Sequence, residues 1–280
     1  MNMKELVKKV LRGLHIYHPL QSGYRGIITL LLITYYRLTY LKFKGKGFIC
    51  NFCGSSYECF VAEYTSKNIE QAINSNEVIA GFGENVYCPH CMSKNRERLI
   101  RAVLEHEFVL EDKKILHFSP EINLSKYLKV NSKYVLSVDL EPDFYRPIDS
   151  AIVKADATKL QFDSESFDII IANHILEHIP EDEKAIGEMY RVLKLGGVAI
   201  LQVPYSEKLT NTIEEPFIND PQKQERLFGQ KDHVRIYALS DYLERLKRKG
   251  FKVKVLSPEQ LLVYRKYAIQ EKESVILSYK

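Results

Sequence analysis

The fold turns on Ser166-Phe167-Asp168-Ile169-Ile170-Ile171-Ala172-Asn173-His174-Ile175-Leu176-Glu177-His178. Between Phe167 and Ala172 only Asp168 interrupts the apolar run. A strand with one wet face alternates polar and apolar residues, whereas a near-continuous run belongs to a parallel sheet covered on both faces. Glu181–Leu193 reads as a helix that starts just after Pro180 and is closed by Gly196-Gly197, and Val198–Val203 reads as a strand ending at Pro204. The same alternation extends in both directions. Upstream lie a strand at Lys114–Phe118, a helix at Ile122–Lys129, a strand at Tyr134–Val138 ending in Asp139, and a strand at Ala151–Lys154. Downstream lie a helix at Ser240–Lys249 closed by Gly250, then strands at Phe251–Leu256 and Ser274–Tyr279. The pattern predicts an α/β, doubly wound, mostly parallel sheet from residue 113 to 280. Ligands in such sheets bind at the carboxyl ends of the strands. Those ends carry His117–Glu121, Asp139, Asp156 and Asn173–His178.

The rest of the chain divides in two. The 280 residues are 45% hydrophobic and 27% charged, ordinary for a globular protein and against disorder. The net charge of +4 is too weak to imply nucleic acid, but it is unevenly placed. Residues 1–46 hold nine Lys or Arg against Glu5 alone, so this leader is +8 and the remainder −4. Leu6, Val7, Val10, Leu11 and Leu14 share one helical face, with Lys4, Lys8 and Arg12 elsewhere on the surface. The apolar run Gly26–Tyr36 has 11 residues, against about 20 for a transmembrane helix, and no small-residue cleavage site follows it. The leader therefore reads either as a basic interfacial anchor on an anionic membrane or as helices packed on the body.

Residues 47–112 carry a second signal, two Cys-x-x-Cys pairs at Cys50/Cys53 and Cys88/Cys91. Two such pairs complete a tetrahedral site of four thiolates, and with every position taken by protein the zinc they imply is structural. The alternatives are two disulfides or free thiols. The 34 intervening residues exceed the usual spacing and predict a small lobe, with a strand-like stretch at Glu58–Tyr64 and a polar stretch at Ser66–Glu77. Cys59 is left over and reads as a small apolar residue. A thiolate site implies a reducing compartment. After the second pair, Lys94-Asn95-Arg96-Glu97-Arg98 leads into a helix to about Phe108; its basic residues either reach a phosphate or form a solvated face.

Taken together, the motifs from residue 113 onward resemble a class I S-adenosylmethionine-dependent methyltransferase. The resemblance rests on Asp156-Ala157-Thr158-Lys159-Leu160-Gln161-Phe162, Ser166-Phe167-Asp168, Asn173-His174-Ile175-Leu176-Glu177-His178 and Arg191-Val192-Leu193-Lys194-Leu195-Gly196-Gly197. Cys88-Pro89-x-Cys91, and Arg226 to Tyr237, further resemble a bacterial subgroup often encoded among surface-polysaccharide or glycan genes. The resemblance implies a Rossmann-like seven-stranded sheet, preceded by a zinc-ribbon-like module and amino-terminal helices, and S-adenosylmethionine as cofactor. It implies that Asp139 accepts the ribose hydroxyls and that Asp156 and Ala157 contact the adenine. It further implies that Asn173 and His174 lie beside the methionine part and the methyl group. One departure stands out: where the family has a glycine-rich loop, this chain has His117-Phe118-Ser119-Pro120-Glu121. Glycine permits close backbone approach, so Ser119 and Glu121 must serve differently, with Glu121 a candidate holder of the cofactor's amino group.

His174-Ile-Leu-Glu177-His178 also spells H-x-x-E-H, a metalloprotease pattern. That chemistry needs both histidines on one helix, and His174 directly follows an apolar strand while Pro180 comes soon after His178. The methyltransferase reading prevails. Asp232-His233-x-Arg235-x-Tyr237, with Arg226, lies in an insertion that commonly covers the acceptor pocket of this fold, and these residues suit an anionic or hydroxylated acceptor. The expected reaction is in-line attack on the methyl by an acceptor oxygen or nitrogen, with His233 as first and His174 as second candidate base. The expected acceptor is a small molecule or a glycan or lipid-linked saccharide, in the cytoplasm or at the inner face of the membrane. An RNA methyltransferase and a catalytically silent binding or scaffold protein are the alternatives.

Overall fold

The computed structural model describes residue 28 and residues 30–280. The expected amphipathic helix around Leu6–Leu14 lies outside the described residues. Of the apolar run, residues 30–36 fall in a helix that continues to residue 39.

The body is built on one seven-stranded sheet. Its strands in chain order are β1 (Lys114–Phe118), β2 (Tyr134–Asp139), β3 (Val153–Lys154), β4 (Phe167–Asn173), β5 (Leu193–Gln202), β6 (Lys252–Leu256) and β7 (Val275–Tyr279). Their spatial order is 3-2-1-4-5-7-6. β3, β2, β1, β4 and β5 run parallel, while β7 is antiparallel to both β5 and β6. The helices from residue 41 onward include α1 (Lys67–Ser75), α2 (Asn95–Glu107), α3 (Ile122–Asn131), α4 (Asp182–Val192), α5 (Pro221–Phe228) and α6 (Leu239–Arg248).

β4 shows why its sequence is continuously apolar. Ile170 and Ala172 pack with Ile186 and Met189 of α4 and Leu246 of α6, whereas Ile169 and Ile171 pack with Leu99 and Val103 of α2 and Leu124 and Leu128 of α3. Successive side chains point to opposite faces, so with helices on both, the run Ile169–Ala172 is apolar throughout, and Asp168 near the strand's start pairs with Lys194. Burying each such side chain contributes about 1.5–3 kcal/mol.

Several element bounds differ from the sequence reading. The strand expected at Ala151–Lys154 is only Val153–Lys154, and the strand-like stretch at Glu58–Tyr64 narrows to Val61–Glu63. The polar stretch at Ser66–Glu77 contains α1. Gly196-Gly197 does not close α4, which ends at Val192. The pair lies within β5, where the register against β4 jumps from Phe167↔Leu193 to Ile169↔Val198. A Cβ at Gly197 would stand 2.9 Å from the backbone oxygens of Asp168 and Lys194, so this excursion requires glycine.

Residues 41–94 form a lobe of two small antiparallel ribbons, Lys44–Ile49 with Ser56–Tyr57 and Val61–Glu63 with Gly83–Tyr87. Arg98 of α2, fully buried, fastens the lobe to the body. Its guanidinium donates to the carbonyls of Ser93, Asn85 and Val86 in the lobe and of Tyr267 and Ala268 in the body. The Arg101 guanidinium, also on α2, lies over the rings of Phe52 and Tyr127.

Candidate functional site

The four cysteines converge. Cys50 Sγ lies 3.6 Å from Cys91 Sγ, Cys53 Sγ lies 3.7 Å from Cys88 Sγ, and all four sulfurs are within 4.8 Å of one another. Thiolates about 2.3 Å from one zinc stand about 3.8 Å apart, while a disulfide would bring two sulfurs to about 2.05 Å. The spacing fits a shared metal and not two disulfides. Each knuckle closes the same way: Gly54 N–H donates to Cys50 O at 2.8 Å and Met92 N–H to Cys88 O at 2.9 Å. Both closing residues have positive φ, 70° at Gly54 and 58° at Met92. Ser93 Oγ lies 3.2 Å from Cys50 Sγ and 3.3 Å from Cys91 Sγ. Cys59 stays apart, half-buried, its thiol pushed up by burial and by the nearby carboxylates of Glu58 and Glu84.

The second site lies where the chain leaves β1 for β2 on one side and has β4 on the other. A strand sheet of this kind opens a crevice at that reversal. The two residues that leave β1 and β4 there, Ser119 (φ 45°) and His174 (φ 55°), both take the left-handed conformation. Non-glycine residues adopt it at a cost of roughly 1–2 kcal/mol. Ser119 thus bends the loop as a glycine would. Glu121, the third residue of the glycine-less loop, is drawn inward: its Oε2 lies 3.1 Å from His117 Nε2, its Oε1 accepts from Asn173 Nδ2 at 3.2 Å, and Arg96 Nε lies 3.8 Å away. Burial raises the pKa of this carboxyl, but the His117 hydrogen bond and the Arg96 charge outweigh it and hold it below its ordinary value.

Asp139 ends β2 beside this loop. It accepts Ser119 Oγ–H at 2.6 Å on Oδ2 and Glu141 N–H at 2.7 Å on Oδ1. A carboxylate offers about four acceptor positions, so one remains on each oxygen. Asn173 Oδ1 is buried and accepts nothing within the protein. Asp156 is exposed and turns Oδ1 to Thr158 N–H and Oγ1–H, both at 2.8 Å, while Ala157 is buried in the core cluster below. Ser119 with Asp139, and Glu121 with His117 and Asn173, therefore form two hydrogen-bonded groups at the strand ends, with Asp156 and Ala157 on the loop after β3. This donor and acceptor set fits the polar groups of a nucleoside and amino-acid cofactor.

Next to the crevice opens a cavity of about 770 Å³, within the range of small-molecule sites. Its walls come chiefly from three places: α1 and Lys94 of the lobe with Asn95 and Arg96 at the start of α2, the end of β4 with Glu177 and His178, and the insertion between residues 225 and 236. Of the expected cofactor residues only His174 lines it, so the cavity is a neighbouring compartment. Tyr145 also lines it; burial and the charge of Asp139 push its hydroxyl up to about 12.

The polar groups of the wall cluster tightly. His174 Nδ1 lies 3.5 Å from Glu177 Oε1, His233 Nε2 lies 3.9 Å from the same oxygen, and the His178 and His233 rings meet edge-on at 4.6 Å. Burial pushes the His233 imidazole down to about 3 and the Glu177 carboxyl up to about 7. His174 is held well below its ordinary value by burial and by the Arg96 charge. For His178 burial acts downward, but the Asp232 carboxylate at 3.4 Å prevails and raises it. The segment Leu176–His178 is a single 3-10 turn after a strand, so His174 and His178 do not share a helix.

Two sequence readings change. Arg235 faces the cavity wall but is spent: it donates to Glu214 Oε2 at 2.9 Å and to the carbonyls of Leu176, Ile179 and Pro180. Arg226 is exposed, outside the cavity lining. His117, near the end of β1, is fully buried and pairs with Glu121. The cations that do line the cavity include Lys94, Arg96 and Lys231. The role of Glu177 was hidden, because in the sequence it serves only as a letter in a protease-like motif.

Comparison with known proteins bears on this site. Residues 122–201 match the family model described as "Methyltransferase domain". A curated protein from Oryza sativa subsp. japonica, 2-methyl-6-phytyl-1,4-hydroquinone methyltransferase 1, is 42% identical over 53 residues, 19% of this chain and 16% of its own. The ubiquinone/menaquinone biosynthesis C-methyltransferase UbiE of Idiomarina loihiensis is 35% identical over 65 residues, 23% of this chain and 26% of its own. The aligned stretches thus span about a sixth to a quarter of those relatives. Among solved structures, a SAM-dependent methyltransferase from Archaeoglobus fulgidus covers 67% of this chain and 95% of its own, with TM-score 0.47 and 13% identity. The matched segment runs from α3 through β5, across the crevice just described, and there the chain is similar to a methyltransferase domain.

Proposed function

We propose that this protein transfers a methyl group from S-adenosylmethionine to an oxygen or nitrogen of a polar small molecule or saccharide held in the 770 Å³ cavity. The observation that carries the reading is the adjacency of two compartments. A crevice with unspent acceptors at Asp139 and Asn173 meets a cavity walled by histidines, and His174 belongs to both. Asp139 would accept the ribose hydroxyls, Asp156 and Ala157 would flank the adenine, and Ser119, Glu121 and Asn173 would hold the amino-acid end. When bound, S-adenosylmethionine supplies an electrophilic methyl group on its sulfonium sulfur. His174 and His233 present ring nitrogens from which an acceptor hydroxyl can be held and its proton received. Lys94, Arg96 and Lys231 favour an anionic or hydroxylated acceptor. The rice relatives' names specify a hydroquinone; the acceptor here is proposed on its own residues. In the lobe, Cys50, Cys53, Cys88 and Cys91 would hold a structural zinc that keeps Lys94, Asn95 and Arg96 at the cavity rim.

We also propose a cytoplasmic location at the inner face of the membrane. Thiolate sites persist in reducing compartments. The helix over residues 30–39, within the basic leader, leaves Leu30, Leu31 and Leu38 64%, 60% and 68% exposed. No described helix is long and apolar enough to cross a membrane.

The deciding experiment supplies purified protein and methyl-labelled S-adenosylmethionine to fractionated cell extracts. Label is expected in polar small molecules or lipid-linked saccharide. Label in RNA alone, or in no fraction despite calorimetric binding of the donor, would overturn the acceptor assignment or the activity respectively.

A further inference from the structure

Glu177 is fully buried, yet neither of its carboxylate oxygens accepts a hydrogen bond within the protein. Burying an unpaired polar group is costly, and a carboxylate more so. What stands opposite it are imidazoles. One ligand atom each from Glu177, His178 and His233 lie within 4.8 Å of one another.

Both imidazoles are held from behind. His178 Nδ1 lies 3.4 Å from Asp232 Oδ2, and His233 Nδ1 lies 3.3 Å from the Phe228 carbonyl oxygen. A neutral imidazole carries one N–H. With that hydrogen directed to Asp232 or Phe228, Nε2 is left as a lone-pair donor. Metal-bound histidines are oriented in this way, by a carboxylate or a carbonyl on the far nitrogen.

We propose that Glu177, His178 and His233 hold a divalent transition-metal cation in the cavity wall. Two imidazoles and one carboxylate are the donor set of catalytic zinc sites, which keep a position open, and of non-haem iron sites. The site is distinct from the four-cysteine cluster, whose coordination is closed by protein. Ligands at about 2.0–2.2 Å from a tetrahedral zinc stand about 3.3–3.6 Å apart. The 3.9 Å between Glu177 Oε1 and His233 Nε2 therefore closes by about half an ångström on binding. Three protein ligands leave positions turned to the cavity, and an acceptor bearing hydroxyl or carbonyl oxygens completes them. That last step rests on the methyltransferase reading; the cation site does not. With the cation bound, His233 Nε2 is a ligand, and His174 remains the ring beside the crevice that is free to receive a proton.

The test uses full-length protein prepared without chelator. Elemental analysis should find two equivalents of metal per chain in protein equilibrated with zinc. When one equivalent of zinc is followed by cobalt(II), the cobalt should show weak visible bands without thiolate charge-transfer absorption. Glu177→Gln and His233→Asn should each retain one equivalent and lose the second, with unchanged circular dichroism. Calorimetric binding of S-adenosylmethionine to the same samples reports separately on the methyltransferase reading. Wild-type protein that takes up only one equivalent, or a second equivalent that survives both substitutions, would refute the site. The wild-type stoichiometry decides even where a variant fails to fold.

Discussion

Replacing Asp139 by alanine tests the cofactor crevice most directly. The Asp139 carboxylate already accepts Ser119 Oγ–H at 2.6 Å and Glu141 N–H at 2.7 Å, one on each oxygen. One acceptor position per oxygen remains, which matches the two hydroxyls of a cis-diol. Hydrogen bonds to a charged group contribute about 1.5–3 kcal/mol. Asp139 is only half-buried, so water fills the vacated positions in the free protein and the loss falls within that range for the pair rather than doubling it. Asp139→Ala should then weaken S-adenosylmethionine binding about 10- to 150-fold, since each factor of ten is about 1.4 kcal/mol. Ser119→Ala, which removes a donor to Asp139 but leaves the carboxylate, should cost less. Isothermal titration calorimetry of both variants measures this, with thermal unfolding as the check on fold. A folded Asp139→Ala whose Kd stays within about twofold of wild type would remove Asp139 from the site and the argument with it.

Further expectations concern other parts of the chain. Cys88→Ser should lose the equivalent of zinc bound by the four cysteines and loosen the lobe around residues 47–100, read by elemental analysis and limited proteolysis; unchanged metal content would exclude the cluster. Burial raises the pKa of Glu214, but hydrogen bonds from Arg245 and Arg235 prevail and hold it below its ordinary value of about 4.3. A depressed carboxyl contributes stability that is present above its unfolded pKa and lost as the pH falls through its folded one. The gap in urea midpoint between wild type and Glu214→Gln should thus be widest near neutrality and close in acid, and a pH-independent gap would contradict the pairing. The +8 leader should carry full-length protein to the top of a flotation gradient with anionic vesicles, less so with added salt, because each basic residue near such a surface contributes about 1 kcal/mol. Protein that stays at the bottom would defeat the membrane proposal.

Much of this protein was legible in one dimension. The apolar run at Phe167–Ala172 announced a strand covered on both faces, because periodicity is a local property and burial on two sides leaves no polar position. Two Cys-x-x-Cys pairs pointed to one four-thiolate cluster, because each pair is short enough to act as a unit. That Asp139, Asn173 and His174 stand at strand ends was legible, because the apolar runs before them stop there. Other features were set only by the tertiary structure. Gly196-Gly197 looked like a helix stop, yet the pair serves an excursion within β5 that depends on the backbone of β4 alongside. Arg235 looked available for an anionic acceptor, but carbonyls from residues 176–180 consume its guanidinium. Ser119 replaces a glycine by taking a positive φ that no residue name reveals. The meeting of Glu177 and His178 with His233 joins segments far apart in the chain. Their chemistry arises from distances that folding alone sets, through the packing of the insertion against the end of β4.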